Sequence, residues 1–373
     1  MNLKIKKDIL LDNLMNVSKA ISSKNIIPVL SGIKFDLTND GLYLTASDND
    51  ITIQSFIDKK DIDSIEKEGS IVLQGRYIVE IIRKLPGNVI SMEVIDEYKV
   101  WIHSNTAEFN LNAINPQEFP QNNMNDTKNP IYLDKTSFKT ILNQTSFATS
   151  TQESRPLLTG VNFKISGTTL ECTATDSYRL AKSIINIDNT LDNVVNVVIP
   201  CRNLLELVKI IKDDDKKLEM HIFSNRVLFK FDNILFQSRL LNGTYPDTSK
   251  LIPEEFLIKM VAPKQELYDV IDRASLLSND KEKNIIKLET RKNQLIISSN
   301  SPEIGRVEES LEIVKETDND IVISFSSKYM MDAMRAIRSN KVVLLFNSEV
   351  KPIILKETEN DNITQLILPI RTY

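Results

Sequence analysis

The stretch GRYIVEIIRKL at residues 75–85 decides the fold, because the chain repeats it twice. Its counterparts are RNLLELVKIIK at residues 202–212 and SKYMMDAMRAIR at residues 327–338. Two positions of this stretch carry a basic residue in every copy, in steps of 126 residues. The first position holds Arg76, Arg202 and Lys328, and the second holds Arg83, Lys209 and Arg335. Apolar residues recur in phase with them, so the chain consists of three copies of one unit.

The length of the step indicates what kind of repeat this is. Solenoid and propeller repeats run to about 20–50 residues, whereas 126 residues are enough for a domain with its own core. Pro and polar residues concentrate at residues 116–129 and again at 246–255, which is the composition of linkers. We therefore predict three domains, at residues 1–125, 126–252 and 253–373.

Within a copy, the hydrophobic periodicity changes in a fixed order. Leu10, Leu14 and Val17 follow the spacing of the apolar stripe of a helix. Residues 32–37 and 42–45 alternate around a short polar turn, as in a β-hairpin. The repeated stretch follows as a second helix, and strands close the unit. Equivalent segments are 138–147 and 267–274 for the first helix, 160–165 with 170–173 and 285–288 with 295–297 for the hairpin, and 89–94, 100–103 and 109–111 for the closing strands of copy one. Each copy is thus predicted to be an α+β unit, a sheet layer with two helices.

The composition argues against several classes of protein. The 41% hydrophobic and 26% charged content is ordinary for a globular chain. The longest apolar runs have the length of strands, and the N-terminal segment lacks the apolar stretch of a signal peptide. We therefore expect a cytoplasmic protein with no membrane partner.

The sequence also offers little for catalysis or for metal binding. Cys172 and Cys201 form no C-x-x-C motif, and two histidines are too few for a zinc site, so we expect buried cysteines, no metal and no cofactor. The sequence contains neither the P-loop motif G-x-x-x-x-G-K-[ST] nor the dinucleotide-binding motif G-x-G-x-x-G. Since no general base or nucleophile can be nominated, we expect no catalytic residue.

The repeated cations allow two interpretations. A net charge of −5 favours solvated helix faces. However, the two basic positions lie seven residues apart, which is two helical turns, so both project from one face, and their sign is kept in every copy. First-helix cations would join them, namely Lys7, Lys19, Lys24, Lys135, Lys139, Lys264 and Arg273. Helices that face inward on an arc would form a basic lining, which contacts phosphates without reading base sequence.

Four further stretches resemble the bacterial sliding clamp, the beta subunit of DNA polymerase III. They are QESRPLLTG at 152–160, TDSYRLA at 175–181, NGTYPD at 242–247 and LPIR at 368–371. The resemblance extends over essentially the full chain, in order. It implies a ring of two crescent-shaped chains, a head-to-tail homodimer with a continuous outer sheet and with helices that line a hole for duplex DNA.

The resemblance also implies which residues contact DNA. These are Lys24, Arg76, Arg83, Gln152, Arg155, Arg202, Lys209, Lys328 and Arg335. Some relatives place two aromatic residues after the arginine of the first of these stretches, where this chain has Pro156 and Leu157. Base stacking at that loop is therefore not carried over.

A pocket between the second and third domains is the family's binding site for short linear peptides of partner proteins. Carried over to this chain, it comprises Leu158, Thr175, Ser177, Tyr178, Arg179, Leu180, Pro246, Leu251, Val350, Pro352, Leu366, Ile367, Leu368, Pro369, Ile370 and Arg371. Apolar walls would take the Leu or Phe anchors of the peptide, while Arg179 and backbone groups would bind its polar atoms. An apolar tail that ends in Arg371 indicates docking, because chain ends otherwise fray. Lys250 and Leu368 replace an Arg and a Met of some relatives, so the peptide preference can differ.

Closure of such a ring requires sheet edges to pair across chains. By the resemblance, Phe109 and Leu111 of one chain would meet Leu276 and Leu277 of the other. Glu108 and Arg306 are candidates for an ion pair at the same interface.

The implied mechanism is topological and needs no chemical step. A ring that cannot leave DNA sideways holds a tethered polymerase at high effective concentration. The implied partners are duplex DNA, a second copy of the chain, the DNA polymerase III catalytic subunit, an ATP-driven clamp loader, and repair and other polymerases that carry clamp-binding peptides. The place of action would be the nucleoid during replication. Two alternatives are a monomeric, sequence-independent DNA-binding protein and a hydrolase built on three repeated domains.

Overall fold

The computed structural model describes residues 1–22, 27–121, 124, 129–278 and 284–371. The helices in these ranges are α1 (Lys7–Val17), α2 (Gly75–Lys84), α3 (Lys135–Thr145), α4 (Cys201–Ile210), α5 (Lys264–Ser275) and α6 (Ser327–Ala336). Each predicted copy therefore contains two of them, and α2, α4 and α6 are the second helices that the repeat predicts. α2 ends before Leu85 because the following Pro86 disfavours helical backbone at the residue before it.

The strands make up the rest of the regular structure. They are β1 (Asn2–Lys6), β2 (Gly32–Thr38), β3 (Gly41–Ser47), β4 (Ile51–Asp58), β5 (Ile62–Lys67), β6 (Gly69–Gln74), β7 (Val89–Asp96), β8 (Lys99–Ser104), β9 (Ala107–Asn112), β10 (Ile131–Asp134), β11 (Gly160–Thr175), β12 (Arg179–Pro200), β13 (Lys217–Ile222), β14 (Arg226–Phe231), β15 (Ile234–Arg239), β16 (Ile258–Pro263), β17 (Ile285–Arg291), β18 (Gln294–Ser301), β19 (Gly305–Glu312), β20 (Val314–Lys315), β21 (Val322–Ser326), β22 (Lys341–Phe346), β23 (Ile353–Glu357) and β24 (Ile363–Ile367). The predicted hairpins of copies one and three are β2–β3 and β17–β18, both antiparallel. The copy-two segments both lie within β11, whose pairing with β12 shifts register between Ile165 and Thr169.

One compact unit contains Met1–Thr136 and Arg202–Leu240. It holds a five-stranded sheet of order β5-β1-β7-β8-β9 and an eight-stranded sheet of order β10-β13-β14-β15-β4-β3-β2-β6. In the larger sheet, β15 of copy two pairs with β4 of copy one, with Ile234 opposite Ser55 and Ser238 opposite Ile51.

The other compact unit contains Ser137–Cys201 and Leu241–Tyr373. Its sheets have seven strands, β11-β12-β24-β23-β22-β16-β20, and four strands, β19-β18-β17-β21. Here β24 of copy three pairs with β12 of copy two. Because both large sheets cross a predicted domain boundary, the compact units divide copy two between them. The boundaries after residues 125 and 252 stay predictions.

Each second helix buries one stripe on its sheet. α2 buries Ile78, Val79 and Ile82, and α6 buries an equivalent set that includes Met330 and Met334. The first residue of each second helix is small and buried, and the three are Gly75, Cys201 and Ser327. A Cβ at Gly75 would lie 2.0 Å from the Cδ1 atom of Ile21, so the small residue permits close packing.

Both cysteines are buried, as the sequence predicted. Burial raises the pKa of the Cys172 thiol well above its usual value and also raises the pKa of the Cys201 thiol. Cys201 fills the small first position of α4, so its role is in packing.

Each first helix begins with a lysine, and the structure contradicts the prediction that these lysines join a basic surface. Lys7 Nζ donates to the carbonyl oxygen of Leu85 at 2.6 Å, and Lys264 Nζ donates to that of Ile337 at 2.7 Å. Both carbonyls lie just beyond the C-terminus of a second helix, where a cation offsets the helix dipole. These two lysines therefore tie the first helix of a copy to its second.

The equivalent lysine of copy two, Lys135, is fully buried and bonds to two carboxylates instead. Its Nζ lies 2.9 Å from Oδ1 of Asp214 and 3.0 Å from Oδ2 of Asp232. Burial lowers the pKa of Lys135, but the bonds to both carboxylates outweigh it and raise that pKa. The bond from Lys135 lowers the pKa of Asp214.

No helix among the described residues is long and apolar enough to cross a membrane.

Loss of the Lys135 ammonium should destabilise the fold. We expect Lys135→Met to lower the free energy of unfolding by about 3 kcal/mol, because removal of one partner leaves the carboxylates without their counter-charge. Lys264→Met is the matched control, since it removes a single bond to a carbonyl, with an expected loss of about 1 kcal/mol. Thermal unfolding followed by circular dichroism measures both losses, and equal losses would show that the buried ion pairs add nothing beyond a single bond.

The same comparison has a predicted pH dependence. The lowered carboxyl pKa values contribute stability above the unfolded Asp value of about 3.9, and that stability is lost as the pH falls through the folded values. The difference in stability between the wild type and Lys135→Met should therefore shrink below about pH 4.

Candidate functional sites

The six repeated cations are exposed, at the second and ninth residues of α2, α4 and α6. We call the second-residue set, Arg76, Arg202 and Lys328, the leading cations, and the ninth-residue set, Arg83, Lys209 and Arg335, the trailing cations. Because both sets lie opposite the buried stripe, every second helix presents a basic face of the same design.

The trailing cations are all paired with an acid three residues earlier on the same helix. Lys209 Nζ lies 2.8 Å from Oε1 of Glu206, and Arg335 Nη1 lies 2.8 Å from Oδ1 of Asp332. Arg83 contacts Glu80 in the same way. These acids were not predicted from the sequence, although Glu80, Glu206 and Asp332 follow the 126-residue step too.

The leading cations have weaker partners. Within the described part of the chain, neither Arg76 nor Lys328 belongs to an ion pair, and Arg202 Nη2 lies 3.4 Å from Oδ2 of Asp48. The N-cap residues of α2 and α6, Gln74 and Ser326, accept no side-chain cap bond from the helix. An anion at these helix N-termini would meet uncapped N–H groups together with a cation.

For the other residues predicted to contact DNA, the structure gives little beyond their exposure. Gln152 and Arg155 are exposed, and Arg155 Nη1 donates to Oγ of Ser177 at 3.0 Å. Arg155 therefore adjoins the loop that was assigned to the peptide pocket. Lys24 lies outside the described residues.

The C-terminal segment forms one wall of a cavity of about 640 Å³. The cavity is lined by Tyr178, Asn284, Ser326, Lys328, Tyr329, Leu368, Pro369, Ile370 and Arg371. Five of these residues were assigned to the pocket from the sequence, Lys328 was assigned to DNA, and Asn284, Ser326 and Tyr329 were missed. The sequence did not indicate these three residues, because they are far from the C-terminal tail along the chain and only the fold brings them beside it.

Backbone hydrogen bonds hold this tail in place. Leu368 N–H donates to the carbonyl oxygen of Tyr178 at 2.9 Å, and Ile370 N–H donates to that of Ser324 at 2.7 Å. The preceding strand β24 is buried and pairs with β12 and β23. The described tail is docked, as the sequence predicted, and Thr372 and Tyr373 lie outside the described residues.

Arg179, which was expected to bind polar atoms of a peptide, is held by three groups of the chain itself. Its Nε donates to Oδ2 of Asp176 at 3.0 Å, its Nη1 to Oδ2 of Asp332 at 2.7 Å, and its Nη2 to the carbonyl oxygen of Phe147 at 2.7 Å. The guanidinium carbon also lies 4.5 Å from the ring centroid of Tyr329. With 10% of its side chain exposed, Arg179 supports Tyr329, which lines the cavity, and its part in peptide binding stays a prediction.

The remaining residues assigned to the pocket fall into separate surroundings. Leu180 and Leu366 share an apolar cluster, and Leu158 packs with Tyr245 in another. Tyr245 Oη accepts from the N–H of Thr175 at 3.1 Å.

Two further cavities take up several others. Val350, Ile370 and Arg371 line one of about 510 Å³, which shares its last two residues with the 640 Å³ cavity. Pro246 lines another, of about 570 Å³. Leu251 is half exposed, Pro352 is partly exposed, and Ile367 is buried.

The residues assigned to the interface lie on or beside open sheet edges. β9 is an edge of the five-stranded sheet and carries Phe109, which is 38% exposed, and the partly exposed Leu111. β19 is an edge of the four-stranded sheet. Leu276, 76% exposed, and Leu277 follow α5, which Arg273 ties to Glu309 of β19 at 2.7 Å.

Three copies of an α+β unit with two helices, in which every second helix carries the same basic face, define a repeat protein of the DNA-clamp class. Family models for the DNA polymerase III beta subunit match three parts of the chain: the N-terminal domain at residues 1–124, the central domain at 132–247 and the C-terminal domain at 249–371. The chain belongs to the DNA polymerase III beta subunit family, the sliding clamps.

Individual relatives agree with this assignment. The beta sliding clamp of Bacillus subtilis (strain 168) is 42% identical over 378 residues, and that of Staphylococcus aureus (strain Mu50 / ATCC 700699) is 43% identical over 377. Each comparison covers 100% of both chains. The crystal structure of the clamp from Bacillus subtilis superposes with a TM-score of 0.96 at 42% identity, and that of the Streptococcus pyogenes beta subunit with 0.95 at 35%, both over 100% of each chain.

The family assignment confirms the predicted class of function. The chain is a processivity factor of DNA replication, a non-catalytic subunit that works with a DNA polymerase. The alternative of a three-domain hydrolase is thereby excluded.

The contacts of Arg179 generate a testable prediction. Arg179→Lys keeps the charge, but a single ammonium cannot span three acceptors that suit a planar guanidinium. We expect a loss of about 2 kcal/mol in the free energy of unfolding. Arg155→Lys is the matched control, because Arg155 is exposed and makes one side-chain bond, and its change should stay within about 0.5 kcal/mol. Denaturant unfolding measures both, and a neutral Arg179→Lys would overturn the assigned role.

Proposed function

We propose that two chains pair head to tail into a closed ring around duplex DNA, and that the ring tethers polymerases by peptides bound at the C-terminal cavity. The observation that supports the ring best concerns strand pairing between copies. The last strand of one copy pairs with a strand of the preceding copy twice within the chain, and one further strand of each kind has no such partner among the described residues. The domain limits 1–125, 126–252 and 253–373 belong to this proposal.

The two strand pairs are equivalent. β4 lies at residues 51–58 of copy one, and β12 begins at the corresponding place of copy two. Their partners, β15 and β24, are the last strands of copies two and three. The registers agree as well. Ser55, the fifth residue of β4, is opposite Ile234, the first residue of β15. Ser183, the fifth residue of β12, is opposite Ile363, the first residue of β24.

The third members of these two strand series are β19 in copy three and β9 in copy one. Each is an edge strand of its own sheet. An open edge of this kind presents unpaired N–H and C=O groups, which a second chain can satisfy. Since each strand lies in a different copy, pairing β19 of one chain with β9 of another, and the reverse, closes a ring of two chains.

The same register specifies the contacts across the interface. Ala107 is the first residue of β9, as Ile234 is of β15, and Glu309 is the fifth residue of β19, as Ser55 is of β4. The same register therefore sets Ala107 opposite Glu309. Phe109 is then opposite Val307, and Leu111 is opposite Gly305. Glu108 lies diagonal to Arg306, within reach of an ion pair. Leu276 and Leu277 would cover Phe109 and Leu111 from the end of α5.

The leading and trailing cations supply the proposed DNA contacts, together with Lys24, Gln152 and Arg155. Two chains would present six basic helix faces to one duplex. Phosphate contacts of this kind carry no sequence information, which suits a protein that must move along DNA of any sequence.

The C-terminal cavity is the proposed site for partner peptides. It combines an apolar wall, Leu368 to Ile370, with Tyr178 and Tyr329 and with two cations, Lys328 and Arg371. Such a wall takes apolar anchors, and the cations suit a carboxylate. The proposed ligands are peptides of the polymerase III catalytic subunit, the clamp loader, and repair and other polymerases, with the nucleoid as the place of action. Because the ring is closed, an ATP-driven loader must open it.

Topological binding gives the first test. Rings loaded on circular duplex DNA should remain bound through gel filtration at about 0.2 M salt, and most should dissociate within minutes after the circle is cut once. Retention on the linear product to the same extent would indicate contact binding by a monomer, the remaining alternative.

The peptide site gives the second test. A variant that lacks residues 368–373 should lose at least tenfold in affinity for a short polymerase-tail peptide, because the apolar wall is gone. It should still form the two-chain species, since the tail contributes no residue to β9 or β19. Leu257→Ala, which shortens another exposed leucine, is the control. Unchanged peptide affinity in the truncated chain would refute the pocket assignment.

A further inference from the structure

The second helices share a charge pattern that goes beyond their two cations. The helices read R-x-x-x-E-x-x-R from Arg76, R-x-x-x-E-x-x-K from Arg202 and K-x-x-x-D-x-x-R from Lys328. Each therefore places one acid between a leading and a trailing cation, four residues after the first and three before the second.

This spacing puts all three charges on one face of the helix. Residues three and four apart are neighbours on a helix surface, so the acid can reach either cation. In all three copies it pairs with the trailing one. Among the described residues, Arg76 and Lys328 enter no ion pair, and Arg202 is only loosely paired with Asp48.

Stability is a poor explanation for two of these pairs. Exposed ion pairs one turn apart on a helix add little to stability. Glu80 and Arg83 are both nearly half exposed, and in the pair of Glu206 with Lys209 the lysine side chain is 54% exposed. Asp332 differs, because its Oδ2 also accepts from Arg179. What the three acids share is their place beside a cation on the face assigned to DNA.

We propose that Glu80, Glu206 and Asp332 neutralise the trailing cations, so that the leading cations carry most of the phosphate contact. This inference rests on the proposed function. Each acid also repels phosphate itself. The ring then attracts the duplex at one end of each helix and is held only weakly along the rest, which favours sliding over tight binding.

The salt dependence of DNA binding is the decisive quantity. The slope of log K against log salt is about −0.9 for each phosphate neutralised. Loss of an acid next to a trailing cation should let that cation neutralise a phosphate and so steepen the slope. Loss of a leading cation should flatten the slope more than loss of a trailing one.

The test variant is Glu80→Gln with Glu206→Gln, which leaves Asp332 and its bond to Arg179 intact. The control is Glu68→Gln with Glu359→Gln, which makes the same change in net charge at exposed residues outside the second helices. Fluorescence anisotropy on a short linear duplex, from about 50 to about 200 mM salt, gives the slope. Single-molecule tracking of rings loaded on long DNA gives the diffusion coefficient.

We expect the test variant to steepen the slope by about 0.9 for each further phosphate that it neutralises and to diffuse at least twofold more slowly, with the control close to wild type. An unchanged slope, or an equal change in the control, would overturn the proposal. A second pair guards against misfolding: Arg76→Gln with Arg202→Gln should flatten the slope more than Arg83→Gln with Lys209→Gln, and the reverse order would also overturn it. A wild-type chain that fails to bind circular DNA would instead refute the proposed function.

Discussion

The antiparallel pairing of β15 with β4, and of β24 with β12, is the interaction on which the rest of the molecule depends. Backbone N–H and C=O groups need partners, and each of these pairs satisfies an edge that would otherwise be open. Each pair also joins strands of two successive copies into a shared sheet, the eight-stranded one for β15 and β4 and the seven-stranded one for β24 and β12.

Packing against the sheets places two constraints on the sequence of each second helix. One stripe must be buried, which keeps Ile78, Leu204 and Met330 apolar, and the first residue must be small enough for close packing. The opposite face is free to serve function, and there the cations and their acids repeat. The lysines that begin α1 and α5 secure this arrangement, because they bond to the end of the second helix within their own copy.

Patterns that repeat along the sequence were predictable, whereas those made by the fold were not. Periodicity and the 126-residue step predicted the second helices, the hairpins of copies one and three and the exposed cations. A basic residue at 135 was visible in the sequence, but not that Asp214 and Asp232 enclose it. The contacts of Arg179 were not predictable either, because two of its three acceptors, on Asp332 and Phe147, come from distant segments. Asn284 and Tyr329 reach the cavity only through the position of the tail. The acids at 80, 206 and 332 repeat in the sequence as well, but only the structure shows that each pairs with the trailing cation of its helix.

A closed ring requires β9 and β19 to form the third instance of the same strand pair, between chains. In that pair Phe109→Cys with Val307→Cys should place two thiols opposite each other, at a separation that a disulfide can bridge. Mild oxidation should therefore yield a covalent species of two chains, without a ladder of larger multimers. Phe109→Cys with Glu312→Cys, displaced by about 17 Å along the strand, should give little product. Failure of the first pair to cross-link, equal cross-linking of the second, or a ladder of multimers would contradict the two-chain ring.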